Sequence, residues 1–224
     1  MTTSPPITST STSTMARWLA LGAIAGPTLF TLAWLILGSL STGYPIFGAR
    51  IEPYSPIAQP ISGLGLGDTA PFMNAAFVVG GVMLLAGVAG IAMTVDTQRR
   101  RTARMTCAVL LAATPVGMII DGVFDLEAMV PHSIGFLLAA GVPVASFLVA
   151  GSLFRTTRRH RRLGLWLLVA SPVILALVVG FFLTFEPTVE GAGHGIAGLV
   201  QRLLVSVVLA SFVAMAWPAF RQTR

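Results

Sequence analysis

Six apolar runs, at approximately 18–40, 72–95, 105–124, 134–154, 163–185 and 196–219, decide what this chain can fold into. Each is about 20–24 residues long, and a helix needs about 20 residues to cross the hydrocarbon core of a bilayer. In lipid every backbone N–H and C=O must bond within its own segment, so the runs read as six transmembrane helices. The alternating apolar–polar pattern of a membrane barrel is absent. Only 10% of the 224 residues are charged, against about 25% in soluble domains, too few to cover a water-facing surface. The expected fold is all-α: a polytopic membrane helical bundle with six transmembrane helices, one domain over residues 17–224. Residues 1–16, nearly all Ser, Thr and Pro, read as a disordered cytoplasmic tail, with Met15 an alternative start. The first run is too long for a signal-peptide core and is read as retained.

Orientation comes from arginine, which supplies all 14 basic residues. Arg17, Arg99, Arg100, Arg101, Arg104, Arg155, Arg158, Arg159, Arg161, Arg162, Arg221 and Arg224 fall on one side of a six-span bundle; Arg50 and Arg202 do not. The positive-inside rule then predicts a multi-pass protein of the plasma (inner) membrane with both termini cytoplasmic. Glu52, Asp68, Asp121, Asp125, Glu127, Glu186 and Glu190 fall towards the opposite side, and Trp18, Trp166 and Trp217 lie near the cytoplasmic ends. The net charge of +6 is thus topological and does not point to nucleic acid. Arginine without lysine, together with much Ala, Gly and Val, suggests a GC-rich bacterial genome. The single Cys107, inside an apolar run, is read as a core or lipid-facing residue. Gly22 and Gly26, or Ala86 and Gly90, are small residues four apart that permit close helix approach. Pro27, Pro115, Pro143, Pro172 and Pro218 lie within spans one, three, four, five and six.

The longest connection, residues 41–71, is dense in proline and glycine yet carries Ile46, Phe47, Ile51, Ile57 and Ile61. It is expected to fold back on the bundle as a cap over an outer cavity or as an ordered connector. Polar residues gather on the same side. Asp121 and Asp125 share a face if the third helix continues; His132 opens span four; Glu190 and His194 precede span six; Arg202 lies about 9 Å into span six. Arg202 is expected to snorkel outward or to pair with Asp121 or Asp125, pinning span six to span three. A functional outer-face cavity is the sharper reading, since ionisable residues at membrane depth are functional candidates. Asp121, Asp125, His132 and His194 could supply metal ligands, but their spacing matches no metal signature, and loop histidines suit haem poorly. No metal or cofactor is assigned. No nucleophile elbow, phosphate loop, CxxC or dinucleotide fingerprint is present, and GLGLGD at 63–68 reads as a turn. The span centres carry hydroxyls such as Thr28, Thr31, Thr114, Ser146, Ser171 and Ser211 but no ionisable group, which counts against ion-coupled transport.

Gly26-Pro27, Gly43-Tyr44, Ile61 to Gly65 and Asn74 stand in the first two spans and their connection, followed by Asp125 with His132 and then by Gly198, Leu199, Gln201 and Arg202. Together these segments resemble the domain-of-unknown-function 998 (DUF998) family of bacterial and archaeal membrane proteins. The resemblance covers nearly the whole chain after residue 17 and implies topology and residue choice, with no biochemical activity attached. The leading expectation is an integral membrane protein with an outer-face polar pocket that binds a lipid or a membrane-protein partner. Two alternatives stand beside it: a membrane-embedded hydrolase or transferase acting on a lipid or envelope substrate, and a transporter or flippase.

Overall fold

The computed structural model describes residues 10–94, 101–186 and 194–220, and contains six helices long and apolar enough to cross a membrane. The helices are α1 (Thr10–Leu40), α2 (Ala70–Thr94), α3 (Arg101–Val123), α4 (Met129–Phe136), α5 (Val142–Phe154), α6 (Arg161–Thr184) and α7 (Ala197–Phe220). The helix α1 begins inside the segment read as a tail, and residues 1–9 lie outside the described residues. Helices α4 and α5 form a single span, joined by a π-helical turn over Leu137–Gly141. Pro143 follows that turn in the first turn of α5. Its missing N–H and its ring disrupt the regular ladder one turn earlier, and a π turn absorbs such a mismatch.

The spans form a closed ring in chain order: α1 packs on α2, α2 on α3, α3 on α5, α5 on α6, α6 on α7, and α7 returns to α1. The α1–α2 seam is backbone against backbone. A Cβ on Gly22 would lie 2.0 Å from the Met83 carbonyl oxygen, and one on Gly26 2.5 Å from that of Gly80. From the α2 side, Cβ atoms on Gly87 and Gly90 would lie 2.2 and 2.3 Å from the amides of Ala23 and Ala20. This is the close approach expected of Gly22, Gly26 and Gly90, with Gly87 used in place of its neighbour Ala86. The ring interior is apolar, with Phe30, Leu84, Phe147, Leu167, Ile174, Leu204, Phe212 and Met215 buried. Leu32, Ile36, Val109, Val169 and Leu183 point outward, as lipid contact requires.

The described inter-span arginines, Arg101, Arg104, Arg155, Arg158, Arg159, Arg161 and Arg162, lie at one end of the bundle. Arg99, Arg100, Arg221 and Arg224 are outside the described residues. At the other end the long connection carries a small antiparallel hairpin, β1 (Tyr44–Ile46) and β2 (Ala49–Ile51), followed by 3-10 turns over Ile61–Gly65 and Gly67–Thr69. The hairpin turns on Phe47 (φ 48°) and Gly48 (φ 78°). A two-residue turn with both φ values positive matches the twist of the strands it joins. Glycine takes that conformation freely, whereas Phe47 is held there, its N–H donating to Glu127 Oε1 at 2.7 Å.

Candidate functional site

Residues 53–66 are fastened to the bundle by side chains from three spans. From α7, Arg202 Nη1 donates to the carbonyls of Pro56 (2.6 Å), Gln59 (2.9 Å) and Gly198 (3.0 Å). Its Nη2 donates to the Tyr54 hydroxyl, and the guanidinium lies 5.4 Å from the Trp34 ring centroid. One residue earlier, Gln201 Oε1 accepts the Ile61 N–H at 2.6 Å. From α2, Asn74 Nδ2 donates to the Gly65 carbonyl at 3.2 Å. The span carrying α4 contributes His132, whose Nε2 lies 3.0 Å from Ser62 Oγ. The loop returns the favour at the start of α7: the carbonyls of Ile57 and Ala58 accept the N–H groups of Leu199 and Gly198. The first turn of a helix has no internal acceptors for its N–H groups, so the loop satisfies donors that would otherwise be stranded. A side chain on Gly198 would prevent this, since its Cβ would meet the Gln59 carbonyl oxygen at 2.2 Å. Burial of the loop tyrosines Tyr44 and Tyr54 pushes both phenols above their ordinary value; at Tyr54 the Arg202 guanidinium opposes the shift.

Below the loop, Asp121 and His132 are both buried, with Asp121 Oδ1 3.7 Å from His132 Nδ1. Nδ1 also lies 2.9 Å from the Phe124 carbonyl oxygen. A carbonyl only accepts, so Nδ1 carries the proton and Nε2 presents its lone pair to the Ser62 hydroxyl. Asp121 Oδ1 has no hydrogen-bond partner and sits against Gly135, where a Cβ would come within 2.1 Å of it.

Two cavities meet at this cluster. An inner one of about 40 Å³ lies inside the ring and touches Ser62, Thr114, Asp121 and Gln201 among apolar walls such as Phe30, Phe77 and Met118. Thr114 Oγ1 shares with Asp121 Oδ1 the lack of a protein partner. At about 10–15 Å³ per water this space has room for about three. An outer groove of about 180 Å³ runs between α4 and α6. Its walls are Met129, Phe136, Leu137, Phe181, Phe182 and Phe185, and its polar floor is Ser62, His132 and Gln201. Because Gln201 Oε1 must accept from Ile61, its Nε2 amide is left free to donate.

The expected cluster therefore divides. Asp121 and His132 come together. Asp125 makes no hydrogen bond or ion pair with either among the described residues, because α3 ends at Val123 and the chain turns; its Oδ1 accepts the N–H groups of Glu127 (3.1 Å) and Ala128 (3.3 Å). Arg202 is buried rather than snorkelling, and among the described residues its partners are carbonyls, a phenol and an indole, with no carboxylate. His194 is exposed, and Glu190 lies outside the described residues. No three His, Cys, Asp or Glu side chains gather around a common point among the described residues. Ser62, Thr114 and Tyr54 were not singled out by spacing. Ser62 was reachable only through the Ile61 to Gly65 segment of the family resemblance, and Thr114 only as one hydroxyl among several.

Several of the segments that carried the resemblance meet in space: Gly198, Gln201 and Arg202 hold residues 54–61, Asn74 holds Gly65, and Tyr44 lies against Gly63. Neither a curated protein nor a solved structure matches the chain. The family model described as "Protein of unknown function (DUF998)" matches residues 24–218, nearly all of the six-span bundle. The chain belongs to the DUF998 family of membrane-spanning proteins.

Proposed function

We propose that the protein lies in the plasma membrane with both termini cytoplasmic and binds one chain of an outer-leaflet lipid in the groove between α4 and α6. The orientation rests on the arginines that crowd the end opposite the loop. The observation that carries the binding is the composition of the groove: aromatic and aliphatic walls with hydrogen-bonding groups of Ser62, His132 and Gln201 at the floor. Phe182, Leu137 and Met129 are 54%, 48% and 43% exposed on the outer surface of the bundle, so the mouth faces the acyl chains of the bilayer. Apolar walls alone would not distinguish the groove from the surrounding lipid, because packing against lipid is equally favourable elsewhere. The polar floor does distinguish it, since a carbonyl or hydroxyl of a lipid finds a partner there that hydrocarbon does not provide. At about 180 Å³ the space is smaller than the roughly 300–1,000 Å³ of drug-sized sites. It suits one chain segment with its ester or hydroxyl group rather than a whole lipid. His132 then acts at the floor and Arg202 by holding the roof, while Asp121 stands behind His132 on the inner cavity, outside the groove.

The test is native mass spectrometry of the full chain released from lipid nanodiscs. Wild type is expected to retain one lipid. Ser133 lines the groove and is exposed to the bilayer, so Ser133→Phe fills the mouth without entering the core. That variant is expected to lose the lipid, while Val130→Phe, at a position 72% exposed and outside the groove, keeps it. Equal retention by wild type and Ser133→Phe would overturn the assignment.

A further inference from the structure

We propose that Ser62 and His132 form a nucleophile–base pair that cleaves the acyl ester of a lipid held in the groove; this activity rests on the lipid-binding reading above. Three features of the geometry point to it. The hydrogen bond runs in the activating direction: the Phe124 carbonyl holds the proton on Nδ1, so Ser62 Oγ–H donates to Nε2 over 3.0 Å. The opposite tautomer would leave Ser62 an acceptor and the imidazole unable to take its proton. Second, Asp121 Oδ1 stands 3.7 Å from Nδ1 with no competing partner, where positive charge appears once the imidazole is protonated. Third, Ser62 lines both cavities, so an ester carbonyl reaches it from the groove and water reaches it from the inner space.

The steps balance without any redox partner. Ser62 Oγ adds to the ester carbonyl carbon as its proton passes to His132 Nε2, and Gln201, which lines the same floor, has its Nε2 amide available to donate to the resulting oxyanion. The bond to the lipid alcohol breaks, the departing oxygen takes the proton from Nε2, and the acyl group remains on Ser62. Water then adds to that acyl ester, giving a proton to Nε2. The carboxylic acid leaves as Ser62 recovers its proton. Asp121 touches neither the acyl carbon nor the leaving oxygen and is a positioning residue, acting through His132.

The experiment exposes the full chain in nanodiscs to a long-chain alkyl fluorophosphonate, which modifies a serine only when a base activates it. The adduct is located by intact mass and peptide mapping. Wild type is expected to carry one adduct on Ser62, and Ser62→Ala none. His132→Gln keeps a hydrogen-bonding side chain but no base, and should lower the maximal labelling rate by about 100-fold or more. Asp121→Asn should lower the maximal rate and leave the reagent concentration for half-maximal labelling unchanged, a split that a damaged groove would not produce. A wild-type protein that retains lipid yet carries no adduct, or carries it on another serine, overturns the nucleophile assignment and leaves lipid binding standing. Absence of both adduct and lipid overturns both.

Discussion

Arg202 offers the sharpest test of how the roof is held. Replacing it with Met keeps the aliphatic stem and removes the donors to Pro56, Gln59 and Tyr54. A hydrogen bond to a charged group contributes about 1.5–3 kcal/mol, so three of them amount to roughly 5–9 kcal/mol gross. Against this stands the desolvation of a buried guanidinium, several kcal/mol that the variant no longer incurs. The net loss is about 3 kcal/mol, the gross loss less that desolvation, and it includes the cost of leaving the Pro56 and Gln59 carbonyls without a donor. It falls on the contact between loop and bundle, because the α1–α2 and α2–α3 seams do not involve Arg202. At about 1.4 kcal/mol per decade, 3 kcal/mol is about 100-fold in the opening equilibrium. Hydrogen exchange in nanodiscs, read by mass spectrometry, should therefore show amides of residues 54–66 exchanging at least about 100-fold faster while those of α2 and α3 are unchanged. Loop exchange within about threefold of wild type would refute the latch. A second readout separates it from an ion pair: the double change Arg202→Met with Asp121→Asn should add the two single effects within about 0.5 kcal/mol, because the two side chains share no contact. Recovery of stability in the double variant would mean that the carboxylate, and not the loop, is the partner that matters.

The two tyrosines of the chain, Tyr44 and Tyr54, both lie in the loop, so tyrosinate absorbance reports on the loop alone. Their raised folded-state values mean that the fold keeps phenolic protons which an unfolded chain loses near pH 10. The stabilisation is complete below about pH 10 and declines as pH rises above it; a native titration with its midpoint at the unfolded value would contradict the burial. Gly135→Ala places a Cβ 2.1 Å from Asp121 Oδ1 and 3.0 Å from the Gly117 carbonyl oxygen, and should cost about 1–3 kcal/mol. A melting temperature equal to wild type would show that α3 and α4 have slack at this point. Gly87→Leu should part α1 from α2, since even its Cβ lies 2.2 Å from the Ala23 amide. Size-exclusion chromatography is expected to show loss of the monodisperse peak, and a wild-type profile would refute the backbone-to-backbone seam.

Much of the fold was legible because the bilayer is a severe solvent. Hydrocarbon requires each spanning segment to satisfy its own backbone, so run length alone yields six helices, and the prolines and glycines of 41–71 rule out a long helix there. Spacing also found Gly22, Gly26 and Gly90, because residues four apart share a helix face whatever that face meets. The site was only partly legible. Asp121 and His132 stand out as ionisable groups at membrane depth, but Asp125 depended on where α3 stops, and a turn at Val123 removed it from their face.

What the chain alone determines is therefore whatever one segment decides for itself: which runs span, where charge cannot go, and which residues share a helix face. The partners were decided by tertiary structure. Periodicity fixes an azimuth within one helix and carries no information about how that helix is rotated against the next. The closing of the ring by α7 on α1 could not be read from spacing. Nor could the meeting of Ser62 with a histidine 70 residues away. Arg202 makes the same point. An arginine in an apolar segment needs acceptors, and the expectation of a carboxylate followed from charge. Its actual acceptors are backbone carbonyls that every residue carries, brought within reach only because the loop folds back over Gly198.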